Sequence, residues 1–267
     1  MKLAMAVLFL GVVTPFLCSA DGSDNRKYTS RYTIGPSVQP LVIIGEGWSQ
    51  QFTFVNVDYF SGGMPTVGTF SFYTRDGQPW KVPLKGRGSI DQVGINLRPG
   101  QMLTLETEVF SYPQQLGWAY FDLSRDINQW GIYHAFTVYR NQAQSRPDLM
   151  TSIPFVDGLE DEWIIPFDNE GNKYPGIGLV NSSSFQTTTF TLAVLDADGN
   201  PIKTITKSVG PRRLAWFSLV DENPDLALKR GQIKVSGGLF SSAVFTLQFA
   251  PNGAFTALPV VHTFGMK

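Results

Sequence analysis

Alternation of apolar and polar residues with a period of two runs through most of the chain. In Thr69-Phe70-Ser71-Phe72-Tyr73 the rings of Phe70 and Phe72 share one face, and in Thr189-Phe190-Thr191-Leu192-Ala193-Val194 the same holds for Phe190, Leu192 and Val194. Successive side chains of a strand point to opposite faces, so this pattern predicts half-buried β-strands. Each run leads into an Asp-Gly turn followed by proline, as Asp76-Gly77-Gln78-Pro79 and again as Asp198-Gly199-Asn200-Pro201. Asp-Gly accepts the positive φ of a tight hairpin. Proline then opens the return strand, where a missing N–H costs little.

Other landmarks recur in the same order. Phe54-Val55-Asn56 pairs with Leu179-Val180-Asn181, and Leu97-Arg98-Pro99-Gly100 with Val209-Gly210-Pro211. Further on, Gly117-Trp118-Ala119-Tyr120 pairs with Gly231-Gln232-Ile233-Lys234 and Ala135-Phe136-Thr137-Val138 with Val244-Phe245-Thr246-Leu247, and each series closes on Ile153-Pro154 or Leu258-Pro259. The spacing drifts as loop insertions would make it drift, for instance over 61–65 and 85–94. The pattern predicts an internal duplication whose copies each carry about seven short strands, the count of a β-sandwich. The expected fold is therefore all-β, with two tandem immunoglobulin-like β-sandwich domains. A pair of closed barrels is the alternative. The boundaries expected are a signal peptide over 1–20, an extended polar arm over 21–40, one sandwich over 41–157 and a second over 158–267, with a short linker within 146–163.

Composition changes this picture at one end only. MKLAMAVLFLGVVTPFLCSA reads as an export signal: Lys2 forms a minimal basic start, Leu3 to Val13 an apolar run, and Cys18-Ser19-Ala20 a small-residue cleavage site. Lipid attachment at Cys18 is disfavoured by Leu17 before it. Cleavage removes the only cysteine, so the exported chain would rely on a large core rather than on disulfides, as a bacterial exported protein does. The 20 phenylalanines, 26 glycines and 17 prolines, set against few helix-forming runs, agree with strands and turns. With 21 basic and 22 acidic residues and no basic run, capture of nucleic acid is not expected. No second apolar stretch is long enough for a membrane span.

Candidate chemistry is sparse. The histidines are His134, placed by alternation on one face with Phe136 and Val138 beside the expected core, and His262 near the end. Neither has a nucleophile or acid implied beside it, and no G-x-S-x-G, H-E-x-x-H or phosphate-loop motif occurs, so no enzyme is expected. Asp157, Glu160, Asp161 and Glu162 crowd the expected linker, where carboxylates can gather a hard cation such as calcium. Asp196 and Asp198 superficially resemble the start of a calcium loop, but Thr204-Ile205-Thr206 stands where a bidentate glutamate is needed. Trp80, after a hairpin, and Trp130, in a loop, could stack on sugar rings. Asn181-Ser182-Ser183 fits a glycosylation acceptor. Within the arm, Tyr28, Tyr32 and Ile34 mark a β-prone stretch that could pair with an open sheet edge of a neighbouring molecule.

The series GW…FVNV…TFSFYTRDGQPW…LRPGQMLTLET…GWAYF…FTVYR…RPD, and then IPFDN…GIGLVN…LDADGNP…RGQIKVS…LQFAPNGAFTALP, resembles exported acidobacterial-type proteins with tandem β-sandwich modules. The likeness spans roughly residues 40 to 260 and rests on strand and turn signatures. It implies an envelope or extracellular address and an interaction role, and brings no catalytic residue with it. The expected function is a secreted or cell-surface adhesion or assembly module without enzymatic activity, its partner protein or polysaccharide and self-assembly included. A carbohydrate-binding protein using the loop tryptophans is the alternative, and a hydrolase with paired carboxylates in a cleft is the third and least favoured reading.

Overall fold

Among the described residues, strand pairing makes four large antiparallel sheets and one small hairpin. The computed structural model describes residues 36–58, 63–126, 131–142, 149–157, 162–237 and 242–262. Strands in the earlier part are β1 (Ser37–Ile44), β2 (Trp48–Asn56), β3 (Thr66–Thr74), β4 (Val82–Leu84), β5 (Gly88–Ile90), β6 (Gln92–Leu97), β7 (Met102–Glu106), β8 (Gln115–Leu123), β9 (Tyr133–Asn141), β10 (Leu149–Pro154) and β11 (Val156–Asp157). The later part holds β12 (Glu162–Asp168), β13 (Tyr174–Asn181), β14 (Thr188–Asp196), β15 (Pro201–Val209), β16 (Leu214–Ser218), the short helix α1 (Leu219–Glu222), β17 (Arg230–Ser236), β18 (Ser242–Phe249), β19 (Phe255–Ala257) and β20 (Val261–His262).

The first pair of sheets has the orders β11-β1-β8-β3-β6 and β10-β9-β2-β7. The second has the orders β20-β12-β17-β14-β15 and β19-β18-β13-β16, which repeat the first pair position for position once β4 and β5 are set aside. Among the described residues no sheet closes into a barrel, and the fold is all-β and sandwich-like. Each pair encloses its own apolar core. Phe52, Phe54, Phe70, Phe72 and Phe121 fill the first, and Trp163, Phe190, Leu192, Ile177 and Leu179 the second.

Register agrees between the pairs down to single residues. Phe54 stands opposite Ala135 and Leu179 opposite Val244, while Thr74 stands opposite Gly117 and Asp196 opposite Gly231. A Cβ on Gly117 or Gly231 would strike the carbonyl oxygen of Tyr73 or Leu195, so close strand approach demands glycine at both places. Two buried asparagines also match. Asn56, closing β2, donates to the carbonyls of Met64 (2.9 Å) and Leu97 (3.1 Å) and accepts from the Asp58 N–H. Asn181, closing β13, donates to Gln186 (2.7 Å) and Val209 (2.9 Å) and accepts from the Ser183 N–H. Each amide thus satisfies carbonyls that would otherwise be left unpaired at a strand end. Its donors are fully used, so the Asn181-Ser182-Ser183 acceptor pattern is closed to glycan attachment in the folded chain.

A third apolar core joins the two pairs. Val38, Ile43, Trp48, Trp118 and Tyr139 pack there against Val180, Leu214, Phe245, Leu247 and Phe255. Trp48 lies 4.8 Å from Phe255, ring centre to ring centre. Strands β1, β13 and β18 consequently bury both faces, β1 at every residue. A strand covered on both sides loses its alternation, as strands inside layered folds do.

Three expectations change here. Ser37 to Pro40 are not part of a polar arm but the buried start of β1. Buried partners meet the Gln39 amide N–H groups and the Ser37 hydroxyl: Gln39 donates to the Leu41 carbonyl (3.0 Å) and the Tyr139 hydroxyl, and the Tyr133 hydroxyl donates to Ser37 (2.8 Å). Pro40 falls in a register shift between Gln39 and Val42, where no ladder N–H is required. Most of 146–163 is likewise strand, since β10 and β11 complete the first pair of sheets and β12 opens the second. On β9, finally, His134 is exposed and Phe136 and Val138 lie on the outer face, while Tyr133, Ala135 and Thr137 face inward. The small inward residues sit opposite Phe54 and Phe52 and leave room for those rings.

Candidate functional site

Where the two pairs of sheets meet, the outer face of β3 and β8 forms the floor of a groove of about 690 Å³. Three directly opposed cross-strand pairs make that floor: Tyr73 with Trp118, Ser71 with Tyr120, and Thr69 with Asp122. They follow from alternation, because Ala119, Phe121 and Leu123 on the other face of β8 belong to the first core or its margin. Gln92, opposite Ser71 at the start of β6, borders the floor. The facing wall comes from the later part of the chain, namely the loop Ser182 to Gln186 and Arg212.

The wall is held in place by backbone bonds. Asn181 accepts from the Ser183 N–H (3.1 Å), the Ser183 hydroxyl accepts from Gln186 N–H (3.2 Å), and Arg212 N–H donates to the Ser183 carbonyl (2.8 Å). This loop presents Phe185 at 84% exposure, the most exposed large apolar side chain among the described residues. Arg212 takes a φ of 54°, a left-handed conformation that costs a non-glycine residue on the order of 1–2 kcal/mol. The strain is sustained because the buried Trp118 indole N–H donates to the Arg212 carbonyl (3.0 Å). Its guanidinium then lies 5.6 Å from the centre of Tyr73, which stacks on Trp118 at 4.7 Å. Leu214 N–H donates to the Arg75 carbonyl (3.0 Å), so the first Asp-Gly turn is tied to the same wall.

Electrostatically the groove is balanced, with one carboxylate, Asp122, and one guanidinium, Arg212, among its lining residues. Burial pushes the Tyr120 hydroxyl up to about 12, with the charge of Asp122 and the neighbouring Tyr73 adding to the effect. Tyr120 is therefore a neutral donor and acceptor at any physiological pH. Flat rings, hydroxyls, an amide and one charge of each sign suit recognition by stacking and hydrogen bonding.

The residues singled out from sequence lie elsewhere. Trp80 is packed in the first core at 9% exposure, with Gly117 beneath its ring, so it offers no free face to a sugar. Trp130 lies outside the described residues, as do Tyr28, Tyr32 and Ile34. Of the acidic cluster, Glu160 and Asp161 lie outside them, Asp157 is described only in its backbone, and Glu162 pairs with Lys234 at 2.7 Å. Asp196 turns inward on its own hairpin, accepting from the N–H groups of Asp198 (2.9 Å) and Asn200 (2.8 Å). Tyr120, Asp122, Phe185 and Arg212 were missed. The signals for them were an outward row Trp118, Tyr120, Asp122 on a strand whose inward face is already apolar, and a lone phenylalanine after three serines.

A second cleft of about 460 Å³ lies at Phe167, Gln248 and Phe255, and it is largely apolar. Among the described residues no helix is long and apolar enough to cross a membrane. Comparison of the chain with family models, with curated proteins and with solved structures found no match.

Proposed function

We propose that the chain is an exported, non-enzymatic cell-surface module, made of two copies of one β-sandwich unit, that binds its partner in the groove where the copies meet. The observation that carries this reading is the groove itself: its floor comes from β3 and β8, its wall from the Ser182–Gln186 loop and Arg212, and neither part of the chain forms it alone. Matching sheet orders and matching asparagines support the duplication. A binding role fits a lining with one carboxylate, where glycoside hydrolysis uses two.

Co-sedimentation of the secreted chain with washed bacterial envelopes tests the proposal. Retention is expected, together with its loss in Phe185→Ala, whose side chain supports no core and whose melting should equal the parent's. No retention, or steady release of reducing ends from envelope polysaccharide, would contradict it.

A further inference from the structure

We infer that the ligand of this groove is a segment of neutral polysaccharide, laid over Tyr73, Tyr120 and Asp122 with one sugar ring covering Phe185. The inference rests on the binding role just proposed and names its ligand.

Charge comes first. The single carboxylate and single guanidinium of the lining cancel, so neither a phosphorylated nor a polybasic ligand gains net attraction over water. Shape and chemistry come next. The floor sets hydroxyls and a carboxylate beside aromatic surface: the Tyr73 ring lies over the buried Trp118, Ser71 faces Tyr120, and the polar pair Thr69 and Asp122 follows along the strand. A pyranose ring has the same duality, with C–H groups on its faces and hydroxyls at its edges, and it meets an aromatic ring face to face while its hydroxyls bond to neighbouring polar groups. From Tyr73, which covers Trp118, to the level of Asp122 the floor runs about 13 Å at roughly 3.3 Å per residue, the reach of a short oligosaccharide rather than a single sugar.

Phe185 supplies the remaining part. An aromatic ring that is 84% exposed would ordinarily be expected on a mobile loop, but the Ser183 hydroxyl and the Asn181 amide fix the backbone on either side. A large apolar surface held ready in this way gains contact area on binding with little ordering cost. An extended peptide is the competing ligand. It would add to β6, which among the described residues pairs with β3 alone at the end of its sheet, and it would have no use for the floor.

Affinity electrophoresis of the whole secreted chain in gels cast with xylan, mixed-linkage β-glucan, galactomannan or dextran decides the matter. At least one polymer should retard the protein. Phe185→Ala and Asp122→Asn should each weaken that retention by roughly tenfold, the scale of one lost stacking or charged contact, with melting unchanged. Failure of every polymer, with envelope retention intact and abolished by protease treatment of the envelopes but not by periodate, would overturn the polysaccharide and leave a protein-binding groove. Equal retardation of parent and Phe185→Ala would move the sugar site away from this groove. Loss of envelope retention in the parent would instead remove the binding role on which the inference rests.

Discussion

The two Asp-Gly turns share one internal design and live in different surroundings. In both, the N–H of the residue before the turn donates to a carbonyl four positions on, Thr74 to Gln78 (2.8 Å) and Asp196 to Asn200 (2.9 Å). Gly77 and Gly199 take the same positive φ, 86° and 85°. Yet a Cβ on Gly77 would lie 2.5 Å from the Arg212 carbonyl oxygen, whereas one on Gly199 would meet nothing within 4 Å. One turn is built into the junction and the groove wall, and the other projects into solvent. Local chemistry fixes the turn, while the company it keeps decides whether the turn takes part in a site.

Substitutions at matching positions of the two pairs of sheets, or at one turn alone, can break this comparison or sharpen it. The largest effect belongs to the shared asparagines. Asn56→Ala and Asn181→Ala should each cost about 3 kcal/mol in urea unfolding, because each strands buried carbonyls. A tolerant response at either position would break the correspondence. Gly77→Ala should follow at about 2–3 kcal/mol, combining left-handed strain with the collision against Arg212, and should also weaken envelope retention. Gly199→Ala should cost about 1 kcal/mol from strain alone and leave retention untouched.

A pH effect belongs to the groove. Because burial favours the neutral phenol of Tyr120, its contribution is fully present below pH 10 and is lost as the pH rises through about 12. The urea midpoint should fall over that range, by an amount on the order of 1–2 kcal/mol for this half-buried group. In Tyr120→Phe the fall should be shallower, which midpoints on either side of pH 10 would register. The smallest effect is expected at Lys203, whose 3.1 Å pair with Asp225 is half exposed. Lys203→Ala should change stability by less than about 0.5 kcal/mol.

Much of the architecture is legible in the sequence because strands that bury one face alternate. β3 and β14 declare themselves through Phe70, Phe72, Phe190 and Leu192, and the Asp-Gly-polar-Pro turns mark where they end. Strands that bury both faces carry no such signal. Ser37-Val38-Gln39-Pro40 passes for a polar arm because the hydroxyls that bond Ser37 and the Gln39 N–H, those of Tyr133 and Tyr139, lie about a hundred residues away. The groove is hidden for the same reason. Trp118 and Arg212 are separated by 94 residues, and nothing local to either announces the hydrogen bond between them. Trp80 misleads in the opposite sense, since its place after a hairpin reads as exposure while Gly117 opens a slot for its ring in the core.

The central claim is that the third core makes the two pairs of sheets one cooperative unit, with the groove at its seam. Hydrogen exchange in rising urea, read by mass spectrometry on peptides covering Thr66–Thr74 and Thr188–Asp196, tests it most directly. If the shared core governs, both peptides lose protection at the same urea concentration. Separate midpoints, one for each peptide, would mean two independently folding units and a seam too weak to hold a site.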